Sequence, residues 1–236
     1  MLGVERDDAM ETALQPLPRE FFDRPTLEVA RDLLGVLLCR QTSDGLTVGR
    51  IVETEAYGGP EDLASHARAG RTRRTAPMYG EVGHAYVYLV YGMHDCLNVV
   101  AHTEPAEAGA VLLRAIEPVV GVDHMRSRRA RRGRAADDDA RLGSGPARLC
   151  QAMGVDRSLD GHDLVSGETL WLAALTAPME FEVATGRRIG VDYAGDWSNR
   201  PWRFWIGDSR FVSDYKRSPR APQAMPDSSI ADRWEP

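Results

Sequence analysis

Lysine is nearly missing from this 236-residue chain: among 29 basic side chains, Lys216 is the only lysine and the rest are arginine. One side-chain amine is therefore all the chain offers for Schiff-base chemistry. Cysteine is scarce as well. Cys39, Cys96 and Cys150 are odd in number and far apart, which supports neither a disulfide framework nor a zinc or iron–sulfur site and suggests a reducing compartment. No apolar run approaches the roughly 20 residues of a membrane span. The acidic start, Met1 to Ala9, lacks the basic-then-apolar order of a signal peptide. No fixed-period repeat and no Gly-, Ser- or Pro-rich linker divides the chain, so one domain is expected.

The net charge of −6 argues against nucleic acid only as a whole-chain average. Acids gather in the first dozen residues and after Met225, whereas Arg126 to Arg148 is dense in arginine. Those arginines, with Arg68, Arg71, Arg73 and Arg74, are the available partners for phosphate. The low-complexity part, 126–141, reads as an exposed helix or a loop.

Along the chain, residues 1–20 read as a loosely ordered lead-in, 21–214 as the folded domain and 215–236 as a disordered polar tail. A helix with a proline start is expected from Leu27 to Gly35. Val36–Arg40 and Leu46–Tyr57 read as strands joined by Ser43-Asp44-Gly45. A polar, Arg-rich loop from Gly58 to Gly83 leads to a hairpin: Ala85–Tyr91, a turn over Gly92–Asp95, then Cys96–Ala101. Ala110–Ile116 is a further strand. Pro146–Met153 is a short helix closed by Gly154. Antiparallel strands with helices between them indicate an α+β domain.

Chemistry concentrates in Arg50–Tyr57. Simple alternation puts Ile51, Glu53, Glu55 and Tyr57 on one strand face and Val52, Thr54 and Ala56 on the other. Two carboxylates and an aromatic ring make a poor core but suit a wet pocket that holds something flat and does acid or base chemistry on it. An edge strand with two solvated glutamates fits the same pattern. At the hairpin tip, Tyr91 and Met93 are costly to solvate without a partner. They read either as a wedge that enters between stacked bases or as a tip folded back on itself. Two rival functions stand beside a base-processing enzyme. Carboxylates at i and i+2 lie about 6.6 Å apart by strand rise, within the roughly 6.5–9.5 Å of inverting glycoside hydrolases. The same sheet could also bind RNA or DNA without catalysis.

Six stretches together carry a more specific signal: Arg-Ile-Val-Glu-Thr-Glu-Ala-Tyr at 50–57, Gly-Pro-Glu-Asp-Leu-Ala-Ser-His-Ala-Arg at 59–68, Tyr-Val-Tyr-Leu-Val-Tyr-Gly-Met at 86–93, Leu-Leu-Arg-Ala-Ile-Glu-Pro at 112–118, Gly-Ser-Gly-Pro-Ala-Arg-Leu-Cys-Gln-Ala at 143–152 and Arg-Ile-Gly-Val-Asp-Tyr-Ala-Gly-Asp-Trp at 188–197. In order and spacing, over roughly Leu27 to Ser213, they resemble the alkyladenine (3-methyladenine) DNA glycosylase family.

The resemblance implies a single domain around a curved antiparallel sheet, with a protruding hairpin and surrounding helices. It implies base excision repair: an alkylated purine flipped from the duplex and released by hydrolysis, leaving an abasic site. Glu55 would be the general base on water, with Arg114 beside it. Tyr57 and Tyr88 would sandwich the base, His66 would lie along its edge, and Asn98 would sit on the pocket floor. Tyr91 would fill the gap left in the duplex. Glu53 is read as a structural residue or one that supports the site from behind. The partner would be double-stranded DNA containing alkylated or deaminated purines, met by a monomer, with no membrane and no cofactor. Its setting would be cytoplasmic, nucleoid-associated and bacterial. None of His84, His94, His102, His124 and His162 has metal spacing, so no metal is expected. One departure stands out. His94-Asp95 puts an aspartate near the hairpin tip, where it would oppose phosphate.

Overall fold

One long strand organises the molecule, whose computed structural model describes residues 14–130, 138–174 and 179–213. That strand, β2 (Gly45–Tyr57), pairs with β1 (Leu37–Thr42) along its first half and with β8 (Arg203–Ile206) at Glu53–Glu55. Its other edge is covered by β5 (Ala110–Val120). Beyond β5 come β4 (His94–Val100) and β3 (Ala85–Val90); β6 (Leu170–Ala173) flanks β1, and β7 (Val183–Gly186) flanks β8. Every pairing is antiparallel, and the sheet stays open. The α+β expectation holds.

Among the described residues, three α-helices accompany the sheet: α1 (Thr26–Asp32), α2 (Val122–Ala130) and α3 (Pro146–Met153). α1 packs on β2 and β5, and α3 on β4 and β5. Val29 and Leu33 from the α1 region and Leu149 and Met153 from α3 share one core with Val87, Leu97, Val99, Val111 and Leu113. α3 opens on Pro146, whose missing N–H costs a first turn nothing. It closes at Gly154, which adopts the left-handed φ of 64° that a glycine takes without strain.

Alternation along β2 breaks at Val52. Ile51 lies opposite Ile116 and Glu53 opposite Ala115, so Val52 is an extra residue in the ladder. Ile51 therefore belongs to the helix-covered core with Ala56, not to the face of Glu53 as simple alternation expects. Thr54 faces that core too, and its hydroxyl donates to the Ala30 carbonyl at 2.7 Å. The bulge turns Glu53, Glu55 and Tyr57 together onto the opposite face. The edge-strand alternative fails, because β2 is paired on both sides and both glutamates are fully buried.

Three further expectations change. From Leu14 onward the lead-in is fastened rather than loose: Trp171 Nε1 donates to the Leu14 carbonyl at 2.8 Å, the Leu17 N–H donates to Leu172 at 2.7 Å, and Arg19 pairs with Asp163 at 2.8 Å. The hairpin turns at 91–93 rather than 92–95, since Val90 pairs with His94. Tyr91 and Gly92 both have positive φ, 52° and 69°, and the Met93 N–H closes on the Val90 carbonyl at 3.2 Å, as in the primed turns that suit a twisted hairpin. Of the 126–141 segment, α2 accounts for the start. Residues 131–137, like 1–13 and the tail from 214, lie outside the described residues.

Candidate active site

A row of residues runs straight across the sheet on the face that α1 and α3 leave uncovered. Tyr86 of β3 lies opposite Asn98 of β4, Asn98 opposite Leu112 of β5, Leu112 opposite Glu55 of β2, and Glu55 opposite Arg203 of β8. Period-2 alternation then places Tyr88, Cys96 and Arg114 on the same face one step along, and Tyr57 and Ala110 one step the other way. Residues distant in sequence meet because five strands are in register.

Glu55 sits at the centre and has no exposed surface. Its Oε2 accepts from the Tyr57 hydroxyl at 2.7 Å and pairs with Arg114 Nη1 at 3.1 Å, while Oε1 accepts from the Ile189 N–H at 2.7 Å. Arg114 uses its Nε on Glu53 at 3.0 Å. Glu53 also accepts from Arg203 Nη1 at 3.5 Å, from the Ser213 N–H at 2.7 Å and from the Ser213 hydroxyl at 2.9 Å. Two carboxylates and two guanidiniums thus share one buried cluster without net charge, the condition under which buried ions are tolerable. Burial works to strip the Arg114 proton, but Glu55 and Glu53 outweigh it and hold its pKa above the ordinary value. The Tyr57 phenol is pushed well up, by burial first and then by Glu55, so it stays a donor.

A cavity of about 430 Å³ opens on this cluster. Tyr57, Arg114 and Ile189, all three partners of Glu55, line it, together with His66, Tyr88, Tyr91 and Asn98. Asn98 is buried, and its Nδ2 donates to the Tyr86 carbonyl at 3.0 Å. The His66 ring stands edge-on to Tyr88, centroids 4.6 Å apart, with Nδ1 3.0 Å from the Tyr86 hydroxyl. Burial, then Arg74 and Arg68, push the His66 pKa down to about 4, so the ring is neutral at pH 7. If the Tyr86 hydroxyl donates to Nδ1, the imidazole proton is left on Nε2. Tyr91 projects at the tip, 86% exposed.

The structure thus brings Tyr57, His66, Tyr88, Asn98, Arg114 and the Tyr91 tip to one cavity, with Glu55 directly behind its wall on Tyr57, Arg114 and Ile189. Glu53 lies behind the cavity wall, bonded to the lining residue Arg114. Asp95 shares a strand face with Leu97 and Val99 and borders a depression beside Met93 and Asp156 rather than lining the cavity. The arginine-dense stretch is also reassigned in part. Arg126 pairs with Asp123 and Asp139, Arg128 bonds Thr42 and Thr47, and buried Arg129 is held by Gln151. Arg68, Arg71, Arg73 and Arg74 are exposed. Arg74 lines the cavity, 5.5 Å over the Tyr88 ring, and Arg68 lies 4.8 Å over Tyr193, another lining residue.

Sequence reasoning passed over several contributors. Ile189 acts through a backbone N–H, which no side-chain pattern reveals. Arg188 is fully buried, pairs with Asp62 through both Nη atoms at 2.5 and 2.9 Å, and stands 4.9 Å over the Tyr57 ring. It opens one of the six stretches quoted above, which was the available signal.

Comparison with known proteins decides the family. Residues 20–210 match the profile of the family described as methylpurine-DNA glycosylase. The chain belongs to that family. The glycosylase is 48% identical over 203 residues to a protein of Methanocella arvoryzae, an overlap of 86% of this chain and 97% of the relative. It is 43% identical over 207 residues to the human protein named DNA-3-methyladenine glycosylase, covering 85% of this chain and 68% of the human one. Fold, site and family agree on an enzyme of DNA repair, a DNA glycosylase.

Proposed function

We propose that this glycosylase flips an alkylated purine of the 3-methyladenine class out of duplex DNA and hydrolyses its N-glycosidic bond with a water activated by Glu55. The observation that carries the reading is the Glu55 carboxylate held by Tyr57, Arg114 and Ile189, each of which lines the cavity. Three donors fix its orientation, and a carboxylate has lone pairs left for a water. That water forms a bond to the sugar C1′ and gives its proton to Glu55. The glycosidic electron pair goes to the departing base, which leaves neutral if alkylation had made it cationic. Tyr57 and Tyr88 offer stacking faces, worth about 1–3 kcal/mol per base, which offsets part of the few kcal/mol of unstacking. A cationic purine gains more from electron-rich rings, and a neutral His66 does not repel it. Tyr91 supports the emptied stack, and Arg68, Arg71, Arg73 and Arg74 hold phosphates. We place this work on chromosomal DNA in the cytoplasm, done by a monomer.

The glycoside hydrolase reading requires a second working carboxylate. Glu53 already takes four donors on its two oxygens, two of them from Ser213, which commits it to the fold rather than to a water. The deciding experiment is Glu55→Gln on duplex carrying an alkylated purine. Base release should fall at least a hundredfold while affinity for abasic-site duplex stays within about twofold. Turnover above a few per cent of the parent would remove Glu55 from its role.

A further inference from the structure

Ser213 lies 160 residues beyond Glu53, past the last strand, yet both of its donors end on that carboxylate: N–H on Oε2 at 2.7 Å and Oγ on Oε1 at 2.9 Å. Arg114 gives Glu53 a single bond from Nε, and the Arg203 contact is long at 3.5 Å. Glu53 does not itself line the cavity, so these bonds serve no substrate directly. Their effect passes through Arg114. That guanidinium is split, Nε to Glu53 and Nη1 to Glu55. A carboxylate short of donors recruits an arginine through two parallel N–H bonds when it can. With Ser213 filling both oxygens of Glu53, a single Nε bond suffices there and Nη1 remains for Glu55.

We propose that Ser213 is a positioning residue for the hydrolytic step: by saturating Glu53, it keeps Arg114 divided between the two glutamates and so keeps Glu55 aimed. This rests on the assignment of Glu55 as general base. The residue does not touch the reacting atoms, and its loss leaves the base pocket and the phosphate-binding surface in place. It should therefore act on the rate at saturation and spare affinity.

The test is single-turnover base release from an alkylated-purine duplex at saturating enzyme, with Kd for abasic-site duplex measured in parallel. Ser213→Ala should slow release about tenfold with Kd within about twofold of the parent, since only a step beyond binding has lost an interaction. Ser213→Thr, which keeps both donors, should restore the rate. An unchanged rate in Ser213→Ala, a matching loss in Kd, or failure of threonine to rescue would each overturn the proposal. Should the alanine variant not stay folded, Ser213→Cys, with its N–H intact and a weaker side-chain donor, takes its place under the same criteria. Glu55→Gln is run alongside. If that variant stays active, the general-base assignment fails. If it is inactive while Ser213→Ala runs at the full rate, only the role of Ser213 falls.

Discussion

The hydroxyl of Tyr57 donates to Oε2 of Glu55 at 2.7 Å, two positions along the same strand face. The ring proposed to stack on the base is thus also a donor to the carboxylate proposed to activate the water. On that proposal, one side chain joins stacking to water activation, and removing the hydroxyl alone separates them.

Tyr57→Phe should therefore slow base release about tenfold, the expected loss of one hydrogen bond to a buried charge. It should leave abasic-duplex affinity unchanged, because the ring remains. Tyr57→Ala should lose both. Single-turnover rates and Kd for the two variants check this; equal losses in affinity would mean the hydroxyl contributes nothing of its own.

Tyr91 holds a φ of 52°, unusual for a residue with a Cβ. Tyr91→Gly should keep or raise fold stability, by up to about 1 kcal/mol, since glycine adopts that conformation freely. The same change should weaken excision from duplex more than from single-stranded substrate, because only the duplex has a stack to hold open. Thermal midpoints and paired rate measurements separate the two effects. Equal losses on both substrates would remove the wedge role.

His66 has an ordinary pKa of 6.5 and a folded value of about 4, lowered by burial and by Arg74 and Arg68. The folded state thus prefers the neutral ring, and the unfolded chain binds the extra proton first. Its contribution to stability is complete above about pH 6.5 and is lost as pH falls toward 4. Urea midpoints at pH 7 and pH 5 should fall further in the parent than in His66→Gln. A parallel fall in both would place the acid sensitivity elsewhere.

Much of this architecture was legible in the residues, and its omissions have physical causes. The strands up to the hairpin and the helix opened by Pro146 follow from periodicity and from turn residues. The Val52 bulge does not, since an extra residue leaves no mark in composition, and it moves Ile51 to the other side of the sheet. Arginine density from 126 to 148 suggested phosphate binding, yet Arg128 and Arg129 fold inward to tie α2 to β1, β2 and α3. A count of charges cannot distinguish an arginine that meets solvent from one that fastens a helix. Glu53 was read as structural, but its tie to Ser213 spans a separation that no local pattern covers.

Arg68, Arg71, Arg73 and Arg74 ride on the segment between β2 and β3, which the Asp62–Arg188 pair pins behind Tyr57. The carboxylate cluster rides on the strands. Grip and chemistry therefore occupy different parts of the chain and can be inherited separately. A lineage could retune its hold on DNA to suit a saltier or more crowded cell by exchanging surface residues on that segment, with the row across the sheet left as it is.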